Sequence, residues 1–222
     1  MIKAVIFDMD GLMFDTERLS KELWQQLAQK KGYNFEDDFF DRMVGLDLEA
    51  TKEAFKEDYG QDFPYLKMRE EKNELLKEYV EQKGVPVKEG LREIIAYLKE
   101  NEYLTAVASS SHRDRIEFYL ESAGLKDEFD YLIGGDEVEK SKPNPEIFLK
   151  GIKALGVSRD EALVLEDSVH GIKAAAQAGI RVILIPDLVE QAPEVEELIY
   201  KKLKSLKELK SELEKGNKLK SF

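Results

Sequence analysis

The sequence contains no cysteine, which excludes disulfides, a thiolate nucleophile and any cysteine-ligated zinc or iron centre. Any metal must then be held by oxygen. A basic excess is also missing: 34 Lys and Arg face 46 Asp and Glu, for a formal net charge of -12 over 222 residues. Binding to a phosphate backbone depends on clustered Lys and Arg, so nucleic acid is not an expected partner. No apolar run approaches the roughly 18 to 20 residues that a spanning helix requires, so no membrane is expected either. Met1-Ile2-Lys3 leads straight into an apolar segment and leaves no room for a signal peptide. A cytoplasmic protein is the expectation, taken as a monomer. What the chain does have is 42% hydrophobic and 9% aromatic residues, enough to bury a sizeable core in one large domain, or in one core with a modest insertion.

The apolar pattern changes rhythm along the chain. Ala4-Val5-Ile6-Phe7 reads as a buried parallel strand. From about Asp15 to Gly84 the β-branched runs vanish and helical spacing takes over, starting with Thr16 as a cap and the stripe Leu19, Leu23, Trp24, Leu27. Phe35 to Met43, Leu48 to Tyr59 and Tyr65 to Gln82 read as further helices, with Gly45, Gly60 and Pro64 as breakers. After Val85-Pro86-Val87 helix and strand alternate. The helices are predicted near Glu89 to Glu100, Arg115 to Ala123, Pro145 to Leu155 and Val169 to Ala178. The strands are predicted at Leu104 to Ala108, Tyr131 to Ile133, Ala162 to Leu165 and Val182 to Ile185. Such alternation implies a parallel sheet flanked by helices. Leu203, Leu206, Leu209 and Leu213 share one face of a predicted C-terminal amphipathic helix. The helical block thus interrupts an α/β unit, with residues 1–14 and 87–222 as the core and residues 15–86 as an insert that can act as a lid.

Four groups of residues that end predicted strands or lead into the following helix carry chemistry. Asp8-Met9-Asp10-Gly11 follows the first strand. Sixteen aspartates in such a chain make about one Asp-x-Asp pair by chance, so the spacing alone says little and the position carries the signal. In an open α/β sheet the ligand crevice lies beyond the carboxyl ends of the strands. Ser109-Ser110-Ser111 ends the second strand. Ser111 with Asp114 has the pattern of a helix capping box, a sufficient structural reason for that serine. Ser109 needs another explanation, and donation to a phosphate oxygen, with the following amides adding an anion-binding helix start, supplies one. Lys142-Pro143 precedes a helix with Asn144 as its predicted cap and Pro145 in its first turn; a loop lysine is ordinarily just solvated, but this one can offset phosphate charge. Glu166-Asp167-Ser168 ends a further strand, with Ser168 as a cap. Asp167 is explained equally well as a helix-start acid favourable to the dipole or, paired with Asp8, as part of a hard-oxygen site suited to Mg²⁺.

Taken together, Asp8-Met9-Asp10-Gly11, Ser109, Lys142-Pro143 and Glu166-Asp167-Ser168 with Gly171 resemble, in order, the four motifs of the haloacid dehalogenase superfamily. The resemblance spans essentially the whole chain. The insert is similar to the helical cap of its β-phosphoglucomutase-like and phosphoglycolate phosphatase-like branch. It implies an α/β Rossmann-like core with an inserted α-helical cap, a Mg²⁺ cofactor and a small phosphorylated metabolite as substrate. It further implies Asp8 as nucleophile and metal ligand, Asp10 as acid/base and backbone metal ligand, Asp167 as metal ligand, and Glu166 as support of the metal shell. Ser109, Ser110 and Lys142 are implied as phosphate binders. Thr16, Ser20, Leu48 and Lys72 are the candidate cap positions facing substrate.

The resemblance leaves the acceptor of the phosphoryl group open. Asp10 argues against a dehalogenase, which lacks the second carboxylate, and against the ion-pumping ATPases, which carry threonine there. Phosphatase and sugar phosphomutase share a phosphoenzyme and differ in whether water or a sugar phosphate accepts. Relative to the β-phosphoglucomutase pattern, Ser20 stands where a histidine is expected and Leu48 where an arginine is expected, whereas Lys72-Asn73 keeps a mutase-like pair. The missing arginine weakens the hold on a second phosphate, so hydrolysis is the first choice and mutase activity the alternative. A non-catalytic binding protein is poorly supported by intact Asp8, Asp10, Lys142 and Asp167. Neither His112 nor His170 is needed for the chemistry.

Overall fold

The computed structural model describes residues 1–36, 39–40, 48–187 and 193–218. Residues 37–38 and 41–47, which include most of the predicted helix ending at Met43 and the breaker Gly45, lie outside the described residues. The chain divides into two compact units, Met1–Asp15 with Pro86–Phe222, and Thr16–Val85.

The first unit is built on β1 (Ala4–Phe7), β2 (Leu104–Ala108), β3 (Tyr131–Ile133), β4 (Ala162–Glu166), β5 (Arg181–Leu184) and β6 (Lys201–Lys202). All pairings are parallel, in the order β3-β2-β1-β4-β5-β6. Every residue of β1 and of β4 is buried, as expected of strands covered on both faces. The sheet grows outward from β1 to β3 on one side, then crosses over to β4 on the other. β1 and β4 therefore flank the point where strand order reverses, which is where open α/β sheets bind ligands.

Helices link these strands. The helix α4 (Leu91–Glu100) precedes β2 and α5 (Arg113–Ala123) follows it; α6 (Glu146–Leu155) joins β3 to β4 and α7 (Val169–Ala178) joins β4 to β5. Three of them stop at a glycine in the left-handed region, Gly124, Gly156 and Gly179, where a side chain would be strained. Aliphatic side chains from both layers form the core, among them Ile6, Ala106, Ile133, Val164, Ile172 and Val182. The C-terminal stretch differs from the single amphipathic helix predicted for it. All four leucines are buried, but Lys201 and Lys202 pair with Ile183 and Leu184 as an edge strand, and the last helix, α8 (Leu209–Lys218), begins only after that strand. Lysines suit an exposed sheet edge because they block further strand addition, and a two-residue polar strand leaves no periodicity to read.

The second unit contains α1 (Thr16–Lys31), α2 (Leu48–Tyr59) and α3 (Tyr65–Lys83). Its core is almost wholly aromatic: Trp24, Phe35, Phe39, Phe55, Phe63 and Tyr65 pack with Met68 and Leu27. Phe55 stacks on Phe63 at 5.0 Å and meets Phe39 edge-on at 4.6 Å, and Trp24 stacks on Tyr65 at 6.0 Å. Such pairs contribute about 0.5 to 1.5 kcal/mol each beyond the area they bury. A smaller aliphatic contact of Leu19, Leu23 and Leu76 joins α1 to α3. Among the described residues no helix is long and apolar enough to cross a membrane.

Candidate active site

Strand β1 delivers Asp8 to the switch point. The Asp8 amide donates to the Leu165 carbonyl at 3.0 Å and so extends the ladder onto β4. The chain then turns sharply: the Gly11 amide donates to the Phe14 carbonyl at 2.9 Å, and the Phe14 amide donates to the Met9 carbonyl at 3.2 Å. Gly11 has φ +82°, and a Cβ there would overlap the Asp167 carboxylate. Glycine is therefore required twice, for the left-handed backbone and for the space beside Asp167.

Lys142 reaches into this crevice from the loop before α6. Its ammonium lies 2.5 Å from Asp8 Oδ1 and 2.7 Å from Glu166 Oε1, and it donates to the Ala108 carbonyl at 3.0 Å. The lysine side chain is 3% exposed, so three protein acceptors take the place of water around the charge. Asn144 does act at the helix start, its Oδ1 accepting from the Glu146 amide at 3.0 Å. Burial pushes the Asp8 carboxyl up to about 7, against the pull of the Lys142 ammonium and with a further push from Glu166. Burial also opposes charge on Lys142, yet the Asp8 and Glu166 carboxylates hold it well above the ordinary lysine range.

Glu166 is completely buried and organises its surroundings. Its Oε2 accepts from the Asp167 amide, the Ser168 amide and the Ser168 hydroxyl at 3.0 to 3.1 Å, while Oε1 receives Lys142. The Ser168 hydroxyl oxygen in turn accepts from the Gly171 amide at 3.0 Å, capping α7. A Cβ on Gly171 would occupy the Glu166 carboxylate's own position. This is the physical reason for a small residue one turn into that helix.

Carboxylate oxygens of Asp8, Glu166 and Asp167 come within 4.8 Å of one another. The donors are hard oxygens, the set that Mg²⁺ and similar divalent cations prefer. Three acidic groups with one buried lysine leave negative charge in excess, so the residues present fit a cation. Because Glu166 already accepts from four donors, Asp8 and Asp167 are the better placed side chains to hold it.

Asp10 is oriented differently from Asp8. Its Oδ2 accepts from the Ser111 hydroxyl at 2.9 Å, and an Arg115 guanidinium nitrogen lies 3.8 Å from Oδ1. The capping-box expectation for Ser111 and Asp114 is thereby corrected: α5 begins at Arg113 with His112 as its N-cap and no side-chain cap bond, and Ser111 is committed to Asp10. Ser109 is buried, its Oγ accepting from the Ser111 amide at 3.1 Å, which adds a turn-shaping role at the end of β2. Ser110 is exposed. Thr16 and Ser20 lie on α1, Leu48 begins α2 and Lys72 lies on α3, all in the helical unit; Thr16 and Lys72 are buried and Leu48 is exposed. Two features went unread in the sequence. Arg115 sits in a helix first turn where cations are disfavoured, and that misfit was its available signal. Lys88 pairs with Asp187 and lies 3.3 Å from Asp15, a cluster in the α/β unit drawn from three distant segments.

Fold and site together define a doubly wound α/β protein with a carboxylate and lysine centre at its topological switch point. Residues 5–185 match the haloacid dehalogenase-like hydrolase family, and the chain belongs to it. Among curated proteins it is similar to the phosphorylated carbohydrates phosphatase of Thermotoga maritima, 32% identical over 81% of this chain and 82% of that one. It is also similar to the validoxylamine A 7'-phosphate phosphatase of Streptomyces hygroscopicus subsp. limoneus, 30% identical over 81% of this chain and 84% of that one. Among solved structures it resembles the β-phosphoglucomutase of Clostridium difficile with a TM-score of 0.75, 24% identity and 99% of each chain covered, a likeness of fold.

Proposed function

We propose that the chain is a Mg²⁺-dependent phosphatase that hydrolyses a small phosphorylated metabolite, such as a sugar phosphate, through an aspartyl-phosphate intermediate. The observation that carries this reading is the buried Asp8-Lys142 pair at 2.5 Å, set beside Asp167 at the sheet switch point. Phosphoryl oxygens repel an attacking carboxylate, and a bound divalent cation would supply the neutralising charge. Asp8 and Asp167, with the Asp10 backbone, would hold that cation, while Glu166 keeps Lys142 and the Asp167 backbone in place.

Asp8 attacks phosphorus in line and takes the phosphoryl group as a mixed anhydride. Lys142 then balances charge on the transferring oxygens, joined by the Ser109 hydroxyl, which accepts from the Ser111 amide and keeps its own proton to donate. Asp10 protonates the departing alkoxide and, in the second step, takes the proton from the attacking water. The Ser111 hydroxyl donates to its Oδ2 and so helps to orient the carboxyl. The helical unit serves as the cap that excludes water and selects substrate, with Thr16, Ser20, Leu48 and Lys72 as the positions to vary.

Phosphate release from p-nitrophenyl phosphate tests the reading. Turnover is expected to require Mg²⁺ and to fall by about 10⁴-fold or more in Asp8→Asn, in line with the loss of a covalent nucleophile. Turnover without added metal, or persisting in Asp8→Asn, overturns it. A mutase reading is favoured by one feature, the Lys72-Asn73 pair on α3, together with the fold likeness to β-phosphoglucomutase. Incubation with β-glucose 1-phosphate, Mg²⁺ and a trace of the bisphosphate separates the two: free phosphate supports hydrolysis, and accumulating glucose 6-phosphate reverses the ranking.

A further inference from the structure

Strand β5 carries a further carboxylate to the edge of the sheet where the site lies. The Ile185 amide donates to the Glu166 carbonyl at 2.9 Å, so the chain leaving β5 stays beside the segment that carries Asp167. Two residues later comes Asp187, with a side chain 7% exposed. A carboxylate buried to that degree needs a partner for its charge, and Lys88 is one, its ammonium pairing with Asp187 Oδ1. Lys88 is placed in turn by the first loop: its amide donates to the Met13 carbonyl at 2.9 Å, and its ammonium lies 3.3 Å from Asp15 Oδ1.

The two oxygens of Asp187 have different neighbours. Oδ1 meets Lys88, whereas Oδ2 lies on the side of Gly11, where a Cβ would come within 3.2 Å of it while overlapping Asp167 Oδ2. The space beside Gly11 is therefore bordered by two carboxylates, one of them the expected metal ligand from β4. Loop packing explains the Lys88 end of the pair, which ties the exit of β5 to the first loop. It does not explain why the far oxygen is turned toward Asp167, since like charges brought together out of water oppose each other. A divalent cation held by Asp167 offsets that repulsion.

Resting on the Mg²⁺ reading above, we propose that Asp187 strengthens the cation site from outside the ligand set: its charge, felt across Asp167, raises affinity for a divalent cation, and Lys88 on its other side limits the gain. Coulomb energy falls only as the inverse of distance and is weakly screened where water is excluded, so a carboxylate acts on an ion without touching it. A doubly charged ion feels each neighbouring charge twice as strongly as a singly charged one does. The pair thus acts as a dipole with its negative end toward the site. Removing one end or the other has opposite consequences for cation affinity, which a role confined to loop packing does not produce.

Mn²⁺ binding to the full chain, followed by loss of the free-ion paramagnetic signal and reversed by Mg²⁺, reads affinity without turnover. Asp187→Asn is expected to weaken binding by about threefold to tenfold, and Lys88→Met to tighten it by about threefold. Binding left unchanged in either variant, or moved in the same direction by both, overturns the proposal; weakening in both is the result of a pair that only shapes the loop. Should Lys88→Met lack the native dichroism spectrum, Asp187→Glu decides instead. It keeps the charge and is expected to retain more affinity than Asp187→Asn, and equal loss in the two overturns the proposal. A wild type that binds no Mn²⁺ removes the metal reading and this inference together, whereas wild-type binding that Asp187→Asn does not alter removes this inference alone. Hydrolysis of p-nitrophenyl phosphate reports the phosphatase reading separately.

Discussion

The two units bury themselves by different means. The α/β unit packs small and branched aliphatics, such as Ile6, Ala106, Val164 and Ala175, around a sheet whose register is set by backbone hydrogen bonds. The helical unit packs rings, with Phe35 touching Phe39, Phe55, Tyr59 and Phe63. The first arrangement suits chemistry, because the strand ladder holds the Asp8 backbone against Leu165 of the neighbouring strand, which also carries Glu166. The second suits a surface that varies. Helices held by a ring cluster keep their packing while their outward positions change, and large residues such as Leu48 and Leu66 stand exposed there. Buried charge occurs in both units, with Lys142, Asp8 and Glu166 together at the site of the α/β unit and Lys72 buried in the helical one.

The largest effect expected within this comparison comes from Lys142→Met. Removing one partner of a buried ion pair leaves uncompensated charge and costs about 3 to 5 kcal/mol. Here Asp8, Glu166 and Asp167 are left together. Urea unfolding followed by far-ultraviolet circular dichroism should show this loss in metal-free protein, with added Mg²⁺ recovering part of it. Trp24 is the sole tryptophan and sits in the ring cluster, so its fluorescence reports the helical unit separately. An unfolding midpoint by Trp24 that moves as far as the dichroism midpoint would show one cooperative block and dissolve the distinction.

Phe55→Ala tests the other side. Phe55 is 2% exposed and faces Trp24, Phe39 and Phe63, and truncating a buried phenylalanine costs about 3 to 5 kcal/mol. The expected outcome is an earlier Trp24 transition with a smaller shift in the dichroism midpoint, to which both units contribute. Hydrolysis of a small aryl phosphate at low temperature should fall less than in Lys142→Met. A larger fall there would mean that ring packing sets the chemistry as well as the cap.

Much of the α/β unit was legible because its signals are local. Buried parallel strands leave unbroken apolar runs such as Ala4 to Phe7, and Gly124, Gly156 and Gly179 mark helix ends by a conformation other residues avoid. The coming together of Asp8, Lys142, Glu166 and Asp167 was legible at one remove, since strand ends in a parallel sheet share an edge. Contacts between distant side chains were not. Ser111 and Asp10 lie 101 residues apart, and a local capping pattern at Ser111 masked the longer bond. The edge strand at Lys201 was hidden because its backbone pairing leaves no trace in side-chain hydrophobicity. Lys88 and Asp187 are 99 residues apart and carry no motif.

The smallest effect separates the units by pH. Burial raises the Asp8 carboxyl from 3.8 to about 7 in the folded chain, so the folded protein keeps a proton that the unfolded chain has already lost. Stability from that proton is complete below the unfolded value and disappears as pH rises through about 7. In metal-free protein the dichroism midpoint should therefore fall between pH 5 and pH 8, and fall less in Asp8→Asn, which has no proton to lose. Mg²⁺ competes with the proton for the same carboxylate, so its stabilising effect should be greater at pH 8 than at pH 5. The shifted groups of the helical unit titrate outside this window, Glu53 being lowered from 4.5 by its bond to Lys56 and Tyr65 raised from 10.0 by burial. The Trp24 midpoint should then stay nearly level across it. If Trp24 followed pH more steeply than the dichroism, the titrating group would belong to the ring-packed unit, and the assignment of this pH dependence to Asp8 would be lost.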